Sequence, residues 1–255
     1  MADAPGTRID VTLVAGGMYH DIDYARLQLL GLLAEHEEFR VRVQPDYEDA
    51  EAIAAGSILL SYTCNVRPSE RAQRTIREWV EGGGRWVALH GTSAALDVGT
   101  PEGVDSPRVF PLWADTLGSQ FVAHPPIAPY PVEITDPDHW LVAGIESFET
   151  DDELYLNEYA DRDALVPLLH TTWSGIAHGF VESDWTSGDD RHLIMYIRPL
   201  GEGAVLYNTL GHCRGHYDMV PVLDYYPQIE RCSWEQPAYH ELLRRSLRWA
   251  RGETG

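Results

Sequence analysis

Four histidines stand where short apolar runs meet turn residues, and those turns are the places in this sequence where chemistry could be done. His90 lies in WVALHGTSAAL, residues 86–96, between an apolar run and Gly91. A strand followed by so sharp a turn carries the nucleophile in many α/β enzymes, and an imidazole there projects from the strand end into whatever cleft forms. The plain alternative is a histidine hydrogen-bonded within its loop, but a sharp strand end is a costly place to hold a polar ring unless it is used. His20 sits in GGMYHD, where Gly16 and Gly17 let the backbone turn tightly and admit a ligand close to the main chain. His124 in QFVAHPP is fixed by Pro125 and Pro126, as either a structural turn or a functional one would be. His212 in NTLGHCRGH, with His216 behind it, repeats the pattern of strand, glycine and histidine. The unperturbed imidazole pKa near 6.5 suits proton transfer and metal ligation alike.

The acidic partner is suggested by FETDDELYLNE, residues 148–158. In an extended run Glu153 and Tyr155 share one face and Asp152, Leu154 and Leu156 the other, although acidic runs are most often solvated surface. Two or three imidazoles with one carboxylate form the ligand set of zinc or another first-row divalent ion. The same set could instead act as acid and base on a sugar. With 8 Trp and 13 Tyr, the chain has rings that could stack on apolar sugar faces, though most must be core.

The elements that must position these residues follow from periodicity. Ile9–Ala15, Phe39–Val43, Ser57–Tyr62 and Arg85–Leu89 read as four strands. Between them lie a helix capped by Asp23 and carrying Leu27 to Leu33, and a helix opened by Pro68, with Ala72, Ile76, Trp79 and Val80 on one face and Gly82–Gly84 closing it. Strands alternating with helices predict parallel units with right-handed crossovers, a doubly wound sheet whose function collects at the carboxyl ends of its strands. The loops 16–23, 62–68 and 90–97 are therefore the ones to watch. From residue 99 prolines break the chain into short pieces, with strands expected near Val132–Thr135, Glu153–Leu156, Val166–His170, Leu193–Ile197 and Ala204–Thr209, and a last helix over Ala238–Arg251. No repeat or linker is visible, so residues 1–255 are read as one domain.

Composition excludes several classes. The 255 residues carry 40 Asp and Glu against 19 basic residues, a net charge of −21, which argues against nucleic acid and anionic membranes as partners. Every basic residue is arginine, so Schiff-base chemistry, a lysine base and the lysine of a phosphate-binding loop are ruled out, and no nucleotide cofactor is expected. No stretch approaches the roughly 20 apolar residues of a membrane span and no leader precedes the first strand, which reads as a cytoplasmic protein. The three cysteines show no C-x-x-C spacing; a Cys213–Cys232 bridge and assembly into a homo-oligomer both stay open.

Several segments together resemble the ThuA-like (trehalose utilisation) family: EGGGRWVALHG at 81–91, GSQFVAHPP followed by VEITDPDHWLVAGI, TDDELY at 150–155, and GEGAVLYNTLGH at 201–212 running into a closing helix. The resemblance spans nearly the whole chain in order. It implies the class I glutamine amidotransferase-like fold, an α/β three-layer (α/β/α) arrangement around a flavodoxin-like, mainly parallel sheet. His90 would then stand where a glutaminase nucleophile would be, with His212 near the general base, and an imidazole there does not support glutamine hydrolysis through a stable acyl intermediate. The resemblance further implies carbohydrate catabolism on a keto-sugar or glycoside, by an isomerase, lyase or hydrolase. His90, Glu153 and His212 would be the catalytic residues and the holders of a divalent metal, and His20, His124 and Tyr155 would meet a small carbohydrate. One departure is GHCRGHYD, in which Arg214 replaces the acid expected after Gly-His. A non-catalytic sugar-binding or regulatory module on the same scaffold is the alternative, and a hydrolase using Cys64 or Cys213 a third.

Overall fold

The nine-residue run Ile9–Gly17 (β1) buries alternate side chains on opposite faces, which is what places it inside a sheet covered on both sides. The computed structural model describes residues 8–254. After β1 come α1 (Ile22–Leu33), β2 (Phe39–Gln44), α2 (Ala50–Ala54), β3 (Ile58–Cys64), α3 (Glu70–Glu81) and β4 (Arg85–Leu89). A small hairpin, β5 (Asp97–Thr100) and β6 (Gly103–Asp105), precedes α4 (Pro111–Leu117) and β7 (Ser119–Ala123). The remainder is β8 (Ala128–Ile134), β9 (Phe148–Asp152), β10 (Leu156–Tyr159), β11 (Val166–Thr172), β12 (Arg191–Leu200), β13 (Gly203–Asn208) and α5 (Pro237–Ala250).

Nine strands form one sheet in the order β2-β1-β3-β4-β13-β12-β11-β8-β9. The five from β2 to β13 run parallel, as βαβ units require, and the strands beyond β13 extend the sheet antiparallel. On one face Leu13, Leu60 and Leu89 pack with Leu29 of α1 and Leu243 of α5; on the other Val14, Leu59 and Trp86 pack with Ile53, Ile76 and Trp113 of α2, α3 and α4. The chain is thus the expected three-layer α/β/α arrangement, and each fully buried Leu or Ile contributes about 1.5–3 kcal/mol. Among the described residues no helix is long and apolar enough to cross a membrane.

Two local expectations are corrected. Helix α1 is capped by Asp21, whose side chain accepts from Tyr24 N–H at 3.0 Å, while Asp23 sits in the first turn paired with Arg26. Of the strand expected over Glu153–Leu156, residues Glu153 to Tyr155 are instead the break between β9 and β10, and Leu156 opens β10. The Asp152 carboxylate accepts backbone N–H groups from Glu153 (2.8 Å), Gly211 (2.9 Å) and His212 (3.0 Å), so at this point the side chain, rather than a strand ladder, organises the backbone.

Register fixes where the site falls. Gly17 of β1 pairs with Cys64 of β3, Tyr62 with Leu89 of β4, and Leu89 with Asn208 of β13, so these parallel strands end on one rim. His20, His90 and His212 follow the ends of β1, β4 and β13 by three, one and four residues.

Candidate functional site

His90 occupies a strained turn. Its φ is +44°, in the left-handed region that non-glycine residues seldom adopt, and its carbonyl accepts from the Tyr207 hydroxyl at 2.6 Å. Gly91 is required by space, since a Cβ there would lie 2.6 Å from the Thr63 carbonyl oxygen and 2.8 Å from Cys64 Cβ. The backbone can therefore turn hard against β3, and the imidazole is driven over the rim. Gly211, with φ +112° and Tyr239 Oη 2.2 Å from where a Cβ would be, does the same for His212.

Each of the three rings has one nitrogen engaged away from the centre. His90 Nδ1–H donates to the Thr209 carbonyl oxygen at 2.8 Å, and His20 Nδ1–H to that of Met18 at 3.3 Å. His212 Nε2 meets Glu230 Oε2 at 2.8 Å. The other nitrogens converge: His20 Nε2 and His90 Nε2 are 2.8 Å apart, and Glu153 Oε2 lies 3.7 and 3.5 Å from them. Glu153 Oε1 approaches His212 Nδ1 at 3.1 Å, close enough for attraction but off the line of a hydrogen bond, which leaves that buried nitrogen unpartnered. One donor atom from each of His20, His90, Glu153 and His212 falls within 4.8 Å of every other, and all four residues are buried.

With Nδ1 protonated on both His20 and His90, their facing Nε2 atoms carry lone pairs that repel unless a proton or a cation lies between them. Three imidazoles and a carboxylate, each imidazole held by a second hydrogen bond, form a donor set that zinc or a similar ion would take. The unpartnered Nδ1 of His212 points the same way. His20, expected to touch substrate, has its Nε2 within 4.8 Å of the donor atoms of His90, Glu153 and His212.

The electrostatics divide the set: His20 is held neutral, whereas His212 keeps a proton that an ion would have to displace. Burial pushes His20 down to about 3, keeping it neutral. Burial alone would depress His212 too, but the Glu153 and Glu230 carboxylates outweigh it and hold its pKa up at about 9. Burial opposes ionisation of Glu153 as well, yet His124 and His212 hold its carboxyl well below the usual range.

Around this centre, Tyr155 brings its hydroxyl to 3.1 Å from His90 Nε2, and His124, with Nδ1–H on the Pro125 carbonyl, turns Nε2 to 3.5 Å from Glu153 Oε1. Arg214 bridges Glu153 (3.3 Å) and Glu230 (2.9 Å). His216 is used elsewhere, its Nδ1 on the Tyr226 carbonyl and its ring stacked on Tyr225. Asp152 and Glu230 are site residues that sequence reasoning missed. The doubled acid of TDDELY was a signal for Asp152; nothing marked Glu230, which supplies from 18 residues onward the acid that Arg214 displaces after Gly-His.

The thiols are not placed for nucleophilic work. All three cysteines are free, and burial pushes Cys64 far up and Cys213 up to about 12. Two cavities meet at His124, Glu153 and Arg214: a polar cleft of about 640 Å³ and a narrower one of about 100 Å³.

A mainly parallel sheet with helices on both faces and histidines just past three strand ends defines an α/β protein of flavodoxin-like fold. The chain belongs to the ThuA family, described as trehalose utilisation, which matches residues 10–226. Its structure is similar to that of a ThuA-like protein of Parabacteroides merdae, at 16% identity and a TM-score of 0.66, over 96% of this chain and 91% of that one. A ThuA-like protein of Bacteroides uniformis gives 16% and 0.65 over 97% and 93% of the two chains. A cytoplasmic protein of Salmonella typhimurium LT2 gives 12% and 0.51 over 95% and 97%. No curated protein matches.

Proposed function

We propose that the protein is a divalent-metal-dependent enzyme of carbohydrate catabolism that moves a proton at the carbon next to the carbonyl of a keto-sugar or keto-glycoside. The family's description, trehalose utilisation, supports sugar catabolism in the broad sense. The single observation that carries the metal is the convergence of three imidazole nitrogens and one carboxylate, with each ring's second nitrogen already engaged.

His20, His90, His212 and Glu153 would hold the ion, which would supply a Lewis acid for a substrate carbonyl oxygen. The proton carrier is then His124: its Nδ1–H is committed to Pro125, its Nε2 faces Glu153 Oε1 at 3.5 Å, and it lies where both cavities meet the centre. Arg214 holds the Glu153 carboxylate in place, and the Tyr155 ring packs against that of His90 with centroids 4.6 Å apart.

Elemental analysis of protein prepared without chelators should find about one first-row ion per chain, and His90→Ala should lose both the ion and turnover of 3-keto-glycosides. Unchanged turnover in His90→Ala would remove the proposal.

A further inference from the structure

The narrower cavity is divided by chemistry. Its polar groups, His20, His124, Glu153 and Arg214, lie at the end shared with the donor set, whereas most of the rest is apolar or aromatic, including Leu96, Val104, Phe121, Phe180 and Met219. The rings are fixed against one another: Phe121 and Phe180 have centroids 5.8 Å apart at 66°, Phe121 and Tyr155 4.5 Å apart at 61°, and His124 stands 4.9 Å from Phe180 at 70°. These edge-to-face contacts hold a rigid aromatic wall. A sugar ring placed here would leave hydroxyls without partners, which loses affinity. About 100 Å³ opening toward the centre is of the order of the roughly 150 Å³ apolar cavity that takes up benzene.

The 640 Å³ cleft is the opposite kind of space. Asp151, Glu153, Glu230 and Glu235 line it, and its two cations are already paired, Arg214 with Glu153 and Glu230, and Arg231 with Asp21 at 2.9 Å. Among the described residues both arginines of the cleft are already paired while its four carboxylates repel anions, which favours a neutral polyol as the polar part of a ligand.

We propose that the substrate is a neutral glycoside with an aromatic aglycone: the aglycone enters the Phe121–Phe180 cavity, the sugar lies in the acidic cleft, and the bond between them passes Glu153 and His124. The assignment rests on the proposed function for the site but makes a separate prediction about binding.

Isothermal titration of the metal-loaded protein with phenyl β-glucoside and methyl β-glucoside tests it. The phenyl compound should bind at least about tenfold more tightly, from the apolar area the ring removes from water. Phe180→Ala should cut that preference to about threefold or less, with methyl glucoside binding unchanged. If Phe180→Ala does not fold, Met219→Ala, from the surface loop on the same cavity, should narrow the preference in the same direction. Equal affinity for the two glycosides, no binding of either, or a preference that survives in the folded variant would overturn the inference. A preference that holds in a protein with no metal and no turnover of keto-glycosides would instead overturn the proposed function and leave this inference standing.

Discussion

His212 stands between two carboxylates, and that position governs how the centre loads. Its Nε2 is fixed by Glu230, which in turn accepts from Tyr226 Oη at 2.8 Å, so Glu230 orients the ring whose Nδ1 faces the centre. Glu230→Gln should weaken divalent-ion affinity about 10–100-fold, the usual effect of losing such a partner, in a competition titration against a chromogenic chelator. An affinity equal to wild type would show that Glu230 does not orient the ligand. The pH dependence of the metal-stripped protein follows from two opposed histidines. His20 is pushed down to about 3 in the fold, so the unfolded chain binds the proton first, and stability falls as pH drops from about 6.5 toward 3. His212 is raised to about 9, so its contribution is complete below about 6.5 and is lost as pH climbs through 9. Calorimetry should therefore find Tm highest near pH 6–7, and the fall on the alkaline side should shrink in His212→Asn. An alkaline limb unaltered by that substitution would contradict the assignment. His124→Ala should leave the bound ion in place and lower kcat by about 10²–10⁴-fold, the range expected for a lost acid–base group. Loss of the ion in that variant would place His124 in the donor set instead.

Turns, more than strands, carry the precision of the site. Gly91→Ala drives a methyl group into the Thr63 carbonyl and the Cys64 side chain, an overpacking that costs about 1–3 kcal/mol and tilts the His90 ring away. Denaturant unfolding together with metal content would measure both effects, and a variant as stable as wild type would mean that β3 yields. Asp152 acts at the same level, since one carboxylate gathers the backbone of Glu153 and of the Gly211–His212 turn and ties two donor residues from distant parts of the chain. Asp152→Asn replaces an acceptor by a group that also donates, among four N–H groups, those of Glu153, Gly211, His212 and Ser233. It should cost about 2 kcal/mol in stability and reduce ion affinity without removing a ligand. Intact affinity in that variant would mean that Glu153 and His212 are positioned by packing alone.

Across the whole molecule, the charge of −21 and the paired arginines of the cleft set what can approach. Sugar phosphates should compete poorly with neutral glycosides, and raising salt should narrow the difference by screening the repulsion; stronger inhibition by the phosphorylated compound would reverse this reading. The sequence by itself determined the parallel half of the sheet, because strands buried on both faces must be apolar throughout while their crossover helices show one apolar face, and both patterns are local in Ile9–Ala15, Ser57–Tyr62, Arg85–Leu89 and the helix after Pro68. It also exposed the strand-end histidines, since a glycine beside an imidazole at the end of an apolar run is written in consecutive residues. It could not show that His20 belongs with His90 and His212, nor that Asp152 and Glu230 serve the same centre. Those relations depend on β1, β4 and β13 ending on one rim and on separate chain segments being tied by single hydrogen bonds, as Asp152 is to Gly211 59 residues on and His212 to Glu230 18 residues on. Periodicity records which way a side chain faces within its own element; only the packed sheet decides which side chains from different elements meet.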